Sequence, residues 1–388
     1  MDIPAVLLVN LGTPANPTPA AVRTFLRTFL SDRRVVEMSP LLWRPILEGI
    51  ILRVRPRHSA QLYQSVWNID GITGSPLQYW SERQRDALAQ RFGESVHVAL
   101  AMRCSKPTIR EALSDLRDQG YQQVLVVPLY PQYAASTVAT VNDEVARWLL
   151  AERDHMAISV LHSYPDFPPY IEALALAVEK HWEAHGTLDC ARGDRLLLSF
   201  HSIPLAVHKA GEPYRRECEL TAQLLAQRLN LDIVTVEGVC DESVTDSGKS
   251  GVDTAGPANG DTASGDGGGR GDLGDGDECN ILSDGGCGGL SVTFQSVFGP
   301  AKWIGPATID TVRALGRAHA QRVDIICPGF TADCLETLQE INMLNREEFK
   351  RAGGGEFHYI PWANAEQPWL EALERLVRRE LPARYGLA

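Results

Sequence analysis

The sequence predicts an α/β protein in which helices cover both faces of parallel sheets. Short apolar runs alternate along the chain with longer segments in which apolar residues recur at helical spacing. The short runs are apolar almost throughout, as in parallel strands that are buried on both faces. Segments of the first part of the chain recur in the second part, so we expect two similar halves with a cleft between them.

The elements follow one another in a regular order. Eight strands are predicted from the apolar runs. They are Ala5–Val9, Val96–Ala101, Gln123–Leu129, Ala157–Leu161, Arg195–Phe200, Asp232–Val236, Val323–Cys327 and Glu356–Ile360. Helical periodicity fills the gaps between them. It is clearest at Ala20–Leu30, Trp80–Arg91, Thr108–Gln119, Tyr170–Ala184, Tyr214–Leu229 and Ile309–Ala318.

Two pairs of similar segments indicate an internal repeat. Leu7–Pro14 parallels Leu197–Pro204, and Val126–Tyr130 parallels Ile325–Phe330. Chance similarity between buried strands is the alternative. A structural repeat would place the carboxyl ends of two sheets at a common cleft, which is where ligands bind in such folds.

The repeat divides the chain into an N-terminal half, residues 1–165, and a C-terminal half, residues 166–388. The second half is interrupted by residues 240–289, which contain fifteen glycines and few apolar side chains. Such a segment cannot bury enough surface to offset its chain entropy, so we expect a disordered acidic insertion. Calcium binding is the alternative, although the aspartate spacing fits neither an EF-hand loop nor a repeated array.

The composition is that of a soluble globular protein, with 44% hydrophobic and 22% charged residues. No apolar stretch approaches the ~20 residues that span a bilayer. Segment 240–289 carries a net charge of −9, out of −12 for the whole chain. Neither this segment nor the remainder offers the basic surface that nucleic acids need. The chain starts directly in a strand without a secretory signal, so we expect a cytoplasmic protein with reduced thiols.

One histidine is distinctive because it ends an apolar strand. The run Leu196–Phe200 stops at His201, and Pro204 prevents its continuation. A central parallel strand presents a side chain at its carboxyl end in this way. A core histidine with satisfied hydrogen bonds is the alternative interpretation.

A run of carboxylates follows the matching strand of the repeat. Glu336 and Glu340 are one α-helical turn apart, and Asp333 lies three residues before Glu336. We therefore expect all three to share one helix face. Like charges at this spacing cost stability, which favours a cationic partner. One imidazole and several carboxylates in one cleft suit a divalent metal ion and proton transfer, with His201, Glu336 and Glu340 as catalytic residues.

Other residues are candidates for binding an organic substrate. Arg103 follows the second predicted strand, and Arg57 lies in a basic stretch. Each arginine is either a partner for an anionic group or ordinary surface charge. Tyr130 begins a loop that leads to Ser136, so aromatic surface lies beside hydroxyl groups.

Two further segments are rich in apolar side chains. Gln295 and Trp303 belong to an aromatic, turn-rich patch. Residues 41–52 are apolar nearly all round. This segment is compatible with two interpretations. It is either a helix of the core or an apolar lip that would contact a flat substrate or a membrane surface.

Seven short segments resemble the ferrochelatase family, in the same order and over nearly the whole chain except residues 240–289. They are Leu8–Pro14, Gly74–Leu77, Tyr130–Tyr133, Ser199–Pro204, Gly211–Tyr214, Phe294–Ser296 with Gly299–Trp303, and Cys327–Leu338.

The resemblance implies two similar Rossmann-like domains of the class II chelatase type, with a porphyrin cleft between them. It implies insertion of ferrous iron into protoporphyrin IX to form protohaem, the terminal step of haem biosynthesis. His201 and Glu336 fall on the metal-site positions of the family, and Glu340 and Asp333 fall on its acidic path. The candidates for substrate binding are Arg57, Ser75, Arg103 and Tyr130, which are the candidates for the propionates, together with Ser136, Gln295 and Trp303.

The chain departs from the family pattern in three respects. Segment 240–289 is foreign to the family. A cysteine-bearing C-terminal extension is missing, so we expect neither an iron–sulfur cluster nor another tightly bound cofactor, and Fe²⁺ is a substrate. A mitochondrial presequence is missing as well, so we expect a bacterial, cytoplasmic enzyme in which residues 41–52 offer a peripheral membrane contact.

Two other functions compete with this interpretation. A chelatase of the same class could act on another tetrapyrrole or another metal, such as cobalt or nickel. The segments at 130–133, 199–204 and 327–338 weigh against it. A non-catalytic porphyrin or haem carrier would have no reason to align three carboxylates and would show no turnover.

Overall fold

The computed structural model describes residues 3–236, 242–243, 289–298 and 301–381. Two parallel sheets flanked by helices form the fold, which confirms the predicted fold class. The strands are β1 (Ala5–Asn10), β2 (His97–Met102), β3 (Gln123–Pro128), β4 (Ala157–Val160), β5 (Arg195–His201), β6 (Asp232–Ile233), β7 (Glu242–Ser243), β8 (Gly289–Gln295), β9 (Trp303–Ile304), β10 (Arg322–Ile326) and β11 (Glu356–Ile360). The first sheet has the order β2-β1-β3-β4 and the second β11-β10-β5-β8-β6, while β7 and β9 pair antiparallel.

Helices connect the strands. The α-helices are α1 (Pro19–Leu30), α2 (Pro40–Ile46), α3 (Leu52–Ser65), α4 (Pro76–Phe92), α5 (Ile109–Asp118), α6 (Thr140–Ala151), α7 (Pro168–His185), α8 (Leu205–Lys209), α9 (Tyr214–Leu229), α10 (Thr308–Arg317), α11 (Arg346–Arg351) and α12 (Gln367–Glu380). Three π-helical segments are π1 (Leu47–Ile51), π2 (Ala135–Ala139) and π3 (Glu336–Asn345). Among the described residues, no helix is both long and apolar enough to span a membrane.

The two sheets share one strand order, which confirms the internal repeat. In the first sheet β1 lies between β2 and β3, and in the second β5 lies between β8 and β10. The strands β4 and β11 then extend the sheets beyond β3 and β10. All of these pairings are parallel, so the strands of each sheet end at a common carboxyl edge.

One buried hydrophobic cluster contains residues of both halves. Leu8 and Leu100 of the first sheet belong to the same buried cluster as Leu198 of the second, and Leu174 of α7 packs among them. The predicted boundary between residues 165 and 166 lies in the loop between β4 and α7. It stays a prediction, because residues on both sides of it contribute to this core.

Two glutamates of the C-terminal half bind backbone groups of the N-terminal half. The N–H of Tyr133 donates to Glu217 over 2.7 Å, and the N–H of Ala135 donates to Glu212 over 2.7 Å. Both acceptors lie near the start of α9, and both donors follow β3. Burial is the main cause that raises the pKa of each carboxyl, and the N–H donors partly oppose it. These contacts fix the loop after β3 against the second half.

The predicted strands are all present, but the predictions missed a central one. The predicted strand Asp232–Val236 is reduced to two residues, and β8 was not predicted from the apolar runs. Ser291 and Thr293 interrupt the apolar character of β8. Both residues can be buried because their hydroxyls donate hydrogen bonds to carbonyl oxygens. The Ser291 hydroxyl donates to the Val234 carbonyl over 2.7 Å, and the Thr293 hydroxyl donates to the Leu198 carbonyl over 3.3 Å.

Segment 240–289 can be compared with the expectation only at its ends. Glu242–Ser243 forms β7 and pairs with β9, and Gly289 begins β8. Strand pairing at these residues uses backbone groups and needs no apolar side chain, and the expectation of a disordered insertion stays a prediction. Residues 240–241 and 244–288 lie outside the described part of the chain.

Candidate functional site

His201 lies at the carboxyl edge of the second sheet, as predicted. It is the last residue of β5, it is partly buried, and it stands opposite Gln295 of β8. Its Nδ1 lies 2.6 Å from the carbonyl oxygen of Ser202. A carbonyl oxygen can only accept, so Nδ1 carries the proton, and Nε2 of the neutral ring keeps a lone pair. His201 can therefore ligate a metal ion or accept a proton through Nε2.

Gln295 connects this strand end to the carboxylate helix. Its Oε1 accepts a hydrogen bond from the Ser199 hydroxyl over 2.6 Å, and its Nε2 donates to the Glu336 carbonyl over 3.3 Å. Gln295 is 2% exposed. The buried amide thus holds the first residue of π3 against β5 and β8.

The carboxylates lie on a π-helix, so the expectation of an α-helix is wrong here. A π-helix bonds residue i to i+5 and is common at functional sites. Asp333 lies before π3 and does not share its face. Its Oδ1 accepts from Tyr359 over 2.5 Å and from Thr337 over 2.8 Å, and its Oδ2 accepts from Asn364 over 2.7 Å. With three donors bound to it, Asp333 stabilises the turn that leads into the helix.

Glu340 is held by the residue that follows Gln295. The Ser296 N–H donates to Oε1 over 2.7 Å, and the Ser296 hydroxyl donates to Oε2 over 2.6 Å. Burial raises the pKa of Glu340 to about 7, the Ser296 hydrogen bonds oppose this rise, and the negative charge of Glu336 adds to it. A carboxyl with this pKa exchanges its proton at neutral pH, which suits a proton relay.

Two tyrosines of the N-terminal half lie near Glu336. Tyr63 belongs to α3, and Tyr130 follows β3. Burial raises the pKa of both phenols well above the usual value, and the charge of Glu336 contributes to the rise in each. Both phenols therefore remain protonated at neutral pH.

The aromatic patch predicted around Trp303 extends to α3. The rings of Phe298 and Trp303 are 5.0 Å apart, and the Arg55 guanidinium lies 5.6 Å from the centre of the Phe298 ring. Trp303 is 4% exposed. The patch therefore brings β9 close to the helix that carries Tyr63.

The other predicted residues lie in different settings. Arg103 is largely buried in an ion pair with Asp32, so its charge is already balanced within the protein. Arg57 is exposed on α3. Ser75 is buried before the first turn of α4, and Ser136 is partly buried in π2. Within the described residues, none of these four side chains has a hydrogen bond to His201, Glu336 or Glu340.

A cavity of about 950 Å³ opens beside Arg103. None of the other predicted site residues lines it. Its walls are largely charged, with Arg34, Asp32, Asp143 and Glu144 among them. Such walls do not suit a large apolar ligand, so this cavity is separate from the site at His201.

Two residues of the candidate site were not recognised from the sequence. Ser296 gave a weak signal, because it directly follows Gln295 in the aromatic patch. Tyr63 gave none, because only the packing of α3 against the second half brings it to Glu336. Long-range placement of this kind has no local pattern.

The chain was compared with known proteins. The family model described as Ferrochelatase matches residues 4–237 and 282–381. The chain belongs to the ferrochelatase family. A ferrochelatase from Azoarcus sp. (strain BH72) is 43% identical over 97% of this chain and 87% of its own length. A ferrochelatase from Aromatoleum aromaticum is 41% identical over 97% of this chain and 87% of its own length. Among solved structures, SirB from Bacillus subtilis with Fe³⁺ covers 99% of this chain and 98% of its own, with TM-score 0.49 and 11% identity.

The raised pKa of Glu340 predicts a pH dependence of stability. The carboxyl ionises near its usual 4.5 in the unfolded chain but near 7 in the folded one, so the unfolded state binds fewer protons between these values. The contribution of Glu340 to the free energy of unfolding therefore falls as pH rises through this window. We expect Glu340→Gln to lose less stability than the native protein between pH 5 and pH 8, measured by urea unfolding.

The matched control is Glu347→Gln, because the side chain of Glu347 is 67% exposed and the chemical change is the same. This control should retain the native pH dependence. An identical pH dependence in Glu340→Gln and the native protein would contradict the raised pKa.

Proposed function

We propose that this protein inserts ferrous iron into protoporphyrin IX to form protohaem, the terminal step of haem biosynthesis. Membership of the ferrochelatase family supports the reaction. The observation that supports the assignment of residues is that Gln295, which stands opposite His201, donates to the Glu336 carbonyl, while the next residue, Ser296, binds the Glu340 carboxylate. Porphyrin and iron are accordingly the substrates.

Insertion requires two pyrrole N–H protons to leave while iron sheds its water. His201 has its Nδ1 bound to the Ser202 carbonyl, so Nε2 is the nitrogen that takes a proton or ligates the iron. Glu336 supplies a carboxylate for the same ion, because imidazole and carboxylate together suit ferrous iron. We assign metal binding to His201 and Glu336 on this basis.

Glu340 is the residue that carries protons away. Its pKa of about 7 lets it exchange a proton at neutral pH, and Ser296 holds its carboxylate in one position. Arrival of a divalent cation favours ionised carboxylates nearby, so metal entry and proton release support each other. The porphyrin loses two protons and gains one Fe²⁺, so its net charge does not change. Iron is a substrate in this scheme, and no step requires a resident cofactor.

The macrocycle would lie between the two halves. Tyr130, Trp303 and Gln295 lie close to the strand ends and are our candidates for contacts with it, and Ser136 lies in the segment that follows Tyr130. Binding energy from such contacts can supply the distortion that exposes the pyrrole nitrogens.

Among the candidates for the propionates, the charge on exposed Arg57 is the most accessible. Ser75 could contribute a hydroxyl beside the start of α4. Arg103 is bound to Asp32 and would have to exchange that partner for a propionate.

Two rival functions give different results in one assay. Purified protein is incubated anaerobically with protoporphyrin and Fe²⁺, Co²⁺ or Ni²⁺, and metalloporphyrin formation is followed. Turnover that favours Fe²⁺ supports the proposal. Turnover only with another metal or another tetrapyrrole indicates the related chelatase, and porphyrin binding without turnover indicates a carrier.

We expect His201→Ala to lower kcat by about 10²–10⁴-fold, the range typical of a positioned acid–base group. Porphyrin affinity should stay within about threefold, because His201 contributes little apolar contact. Porphyrin fluorescence measures binding, and haem formation measures kcat. His155→Ala, which changes an exposed histidine, serves as the control. Native turnover in His201→Ala would rule out the assigned role.

Glu336→Gln should lower kcat by at least about 10²-fold, because the amide cannot supply the negative charge that the iron needs. The control is Glu347→Gln on α11, whose side chain is 67% exposed. Steady-state kinetics should show the control within about twofold of the native enzyme. Equal losses in the two variants would mean that the charge at Glu336 has no specific role.

The apolar segment 41–52 is only partly buried. Leu47 and Leu52 are buried and pack in one cluster with Leu30. Leu41 and Leu42, in contrast, are exposed, Leu41 to 87%. Core packing thus accounts for only some of the apolar residues in this segment.

We propose that the exposed residues contact a membrane surface. Leu41 and Leu42 share this region with Val54, which is 68% exposed, and exposed Arg44 and Arg53 lie beside them. Apolar side chains flanked by arginines suit an interface with anionic lipids. An apolar lip for the porphyrin is the alternative.

Vesicle sedimentation tests this contact. The native protein should sediment with vesicles that contain anionic lipid, and the double variant Leu41→Glu, Leu42→Glu should remain in solution. Leu150→Glu is the control, because Leu150 is 88% exposed on α6. Equal sedimentation of both variants would refute the contact. A raised porphyrin KM in the double variant without vesicles would instead indicate a substrate lip.

A further inference from the structure

A second group of metal-ligating side chains lies within the C-terminal half, away from His201. It consists of His181 on α7, Asp324 on β10 and His358 on β11. His181 Nε2 is 3.0 Å from His358 Nδ1, and Asp324 Oδ1 is 3.3 Å from His358 Nδ1 and 3.8 Å from His181 Nε2. We propose that these three residues bind a resident divalent transition-metal ion of the Zn²⁺ class.

The spacing of the three donor atoms fits such an ion. A triangle with sides of 3.0, 3.3 and 3.8 Å has its corners about 2.0 Å from the centre of its circumscribed circle. Zn–N and Zn–O bonds are about 2.0–2.2 Å long. An ion slightly above the plane of the donors therefore reaches all three without moving them. Two imidazoles and one carboxylate also match the ligand type of known Zn²⁺ sites with an open position.

Hydrogen bonds hold Asp324 in place and leave one position on its carboxylate for a bond to a metal ion. A carboxylate accepts about four bonds. Oδ2 accepts from Trp182 Nε1 over 2.9 Å and from Arg322 Nη2 over 2.8 Å, and Oδ1 accepts from Arg322 Nε over 2.7 Å. One position on Oδ1 remains, and Oδ1 is the atom that approaches the two histidines. Asp324 is fully buried, so this arrangement is rigid.

The histidines are suited to ligation as well. Nε2 of His358 lies 3.6 Å from a carboxylate oxygen of Glu356, on the opposite side of the ring from Nδ1. Metal-binding histidines commonly have a carboxylate at their second nitrogen. The ring of His185 stacks on His181 at 4.2 Å and is exposed, so the cluster has access to solvent.

The charge of the site sets its affinity. Asp324 carries one negative charge, which Arg322 already balances. An ion at this position is therefore held by its ligand bonds and gains little from net charge. We expect it to be removable by a strong chelator.

This cluster is distinct from the site of iron insertion. Asp324 stands opposite Leu196 in the parallel register, and His201 lies five residues further along β5. At about 3.3 Å per residue, the two sites are about 16 Å apart along the strand. An ion bound here would link α7 to β10 and β11, so it would stabilise the second half without entering the reaction.

Zinc binding tests the proposal independently of activity. Chelator-treated native protein and the double variant His181→Ala, His358→Gln are titrated with Zn²⁺ by calorimetry and by competition with a chromophoric chelator. The double variant should bind one equivalent less than the native protein. The rise in Tm that Zn²⁺ causes should also be smaller in the variant.

The control is His155→Ala, His58→Ala, which removes two exposed histidines and should bind Zn²⁺ like the native protein. Equal stoichiometry and equal Tm shifts in the native protein and the cluster variant would overturn the proposal. If the double variant fails to fold, His181→Ala alone gives the same comparison. Anomalous diffraction at the zinc edge should place a peak between the three side chains, and a zinc-soaked crystal without that peak would also overturn it.

Discussion

The candidate site depends on the parallel pairing of β5 with β8. The register runs from Arg195 opposite Gly289 to His201 opposite Gln295. It makes His201 a neighbour of the Gln295 amide that contacts Glu336, and it places Ser296 where it can bind Glu340. A slip of one residue would turn the side chain at each of these positions to the other face of the sheet. One backbone register thus helps to position His201, Glu336 and Glu340, the three residues that we propose to be catalytic.

The candidate site also depends on the position of the N-terminal half. Tyr130 begins the loop after β3, and that loop is fixed against α9. Two carboxylates that accept backbone N–H groups, Glu212 and Glu217, provide this contact. A partly buried carboxylate without a hydrogen-bond donor costs stability. Each glutamate therefore favours the position of the loop in which a backbone N–H donates to it.

The sequence predicted the parts of the site that local patterns encode. An apolar run that ends in a polar residue was sufficient to place His201 at a strand end. The spacing of Glu336 and Glu340 was recognised, but four-residue spacing is compatible with both an α-helix and a π-helix, so the helix type was wrong. The strand β8 was not recognised because its serine and threonine are satisfied by carbonyls of other segments. Contacts between distant segments, such as Ser296 with Glu340, left no local signal.

The two groups of metal ligands in the C-terminal half differ in a way that suits different roles. At Asp324 the carboxylate is fixed by three hydrogen bonds from Arg322 and Trp182, and hydrogen bonds lower its pKa although burial opposes them. Such a ligand stays ionised over a wide pH range, as retention of an ion requires. Glu340 instead has a pKa of about 7, so its charge changes easily at neutral pH. A site that transfers a metal ion to the porphyrin and carries protons away from it needs a group that changes its charge easily, whereas a site for a resident ion needs a ligand that stays charged.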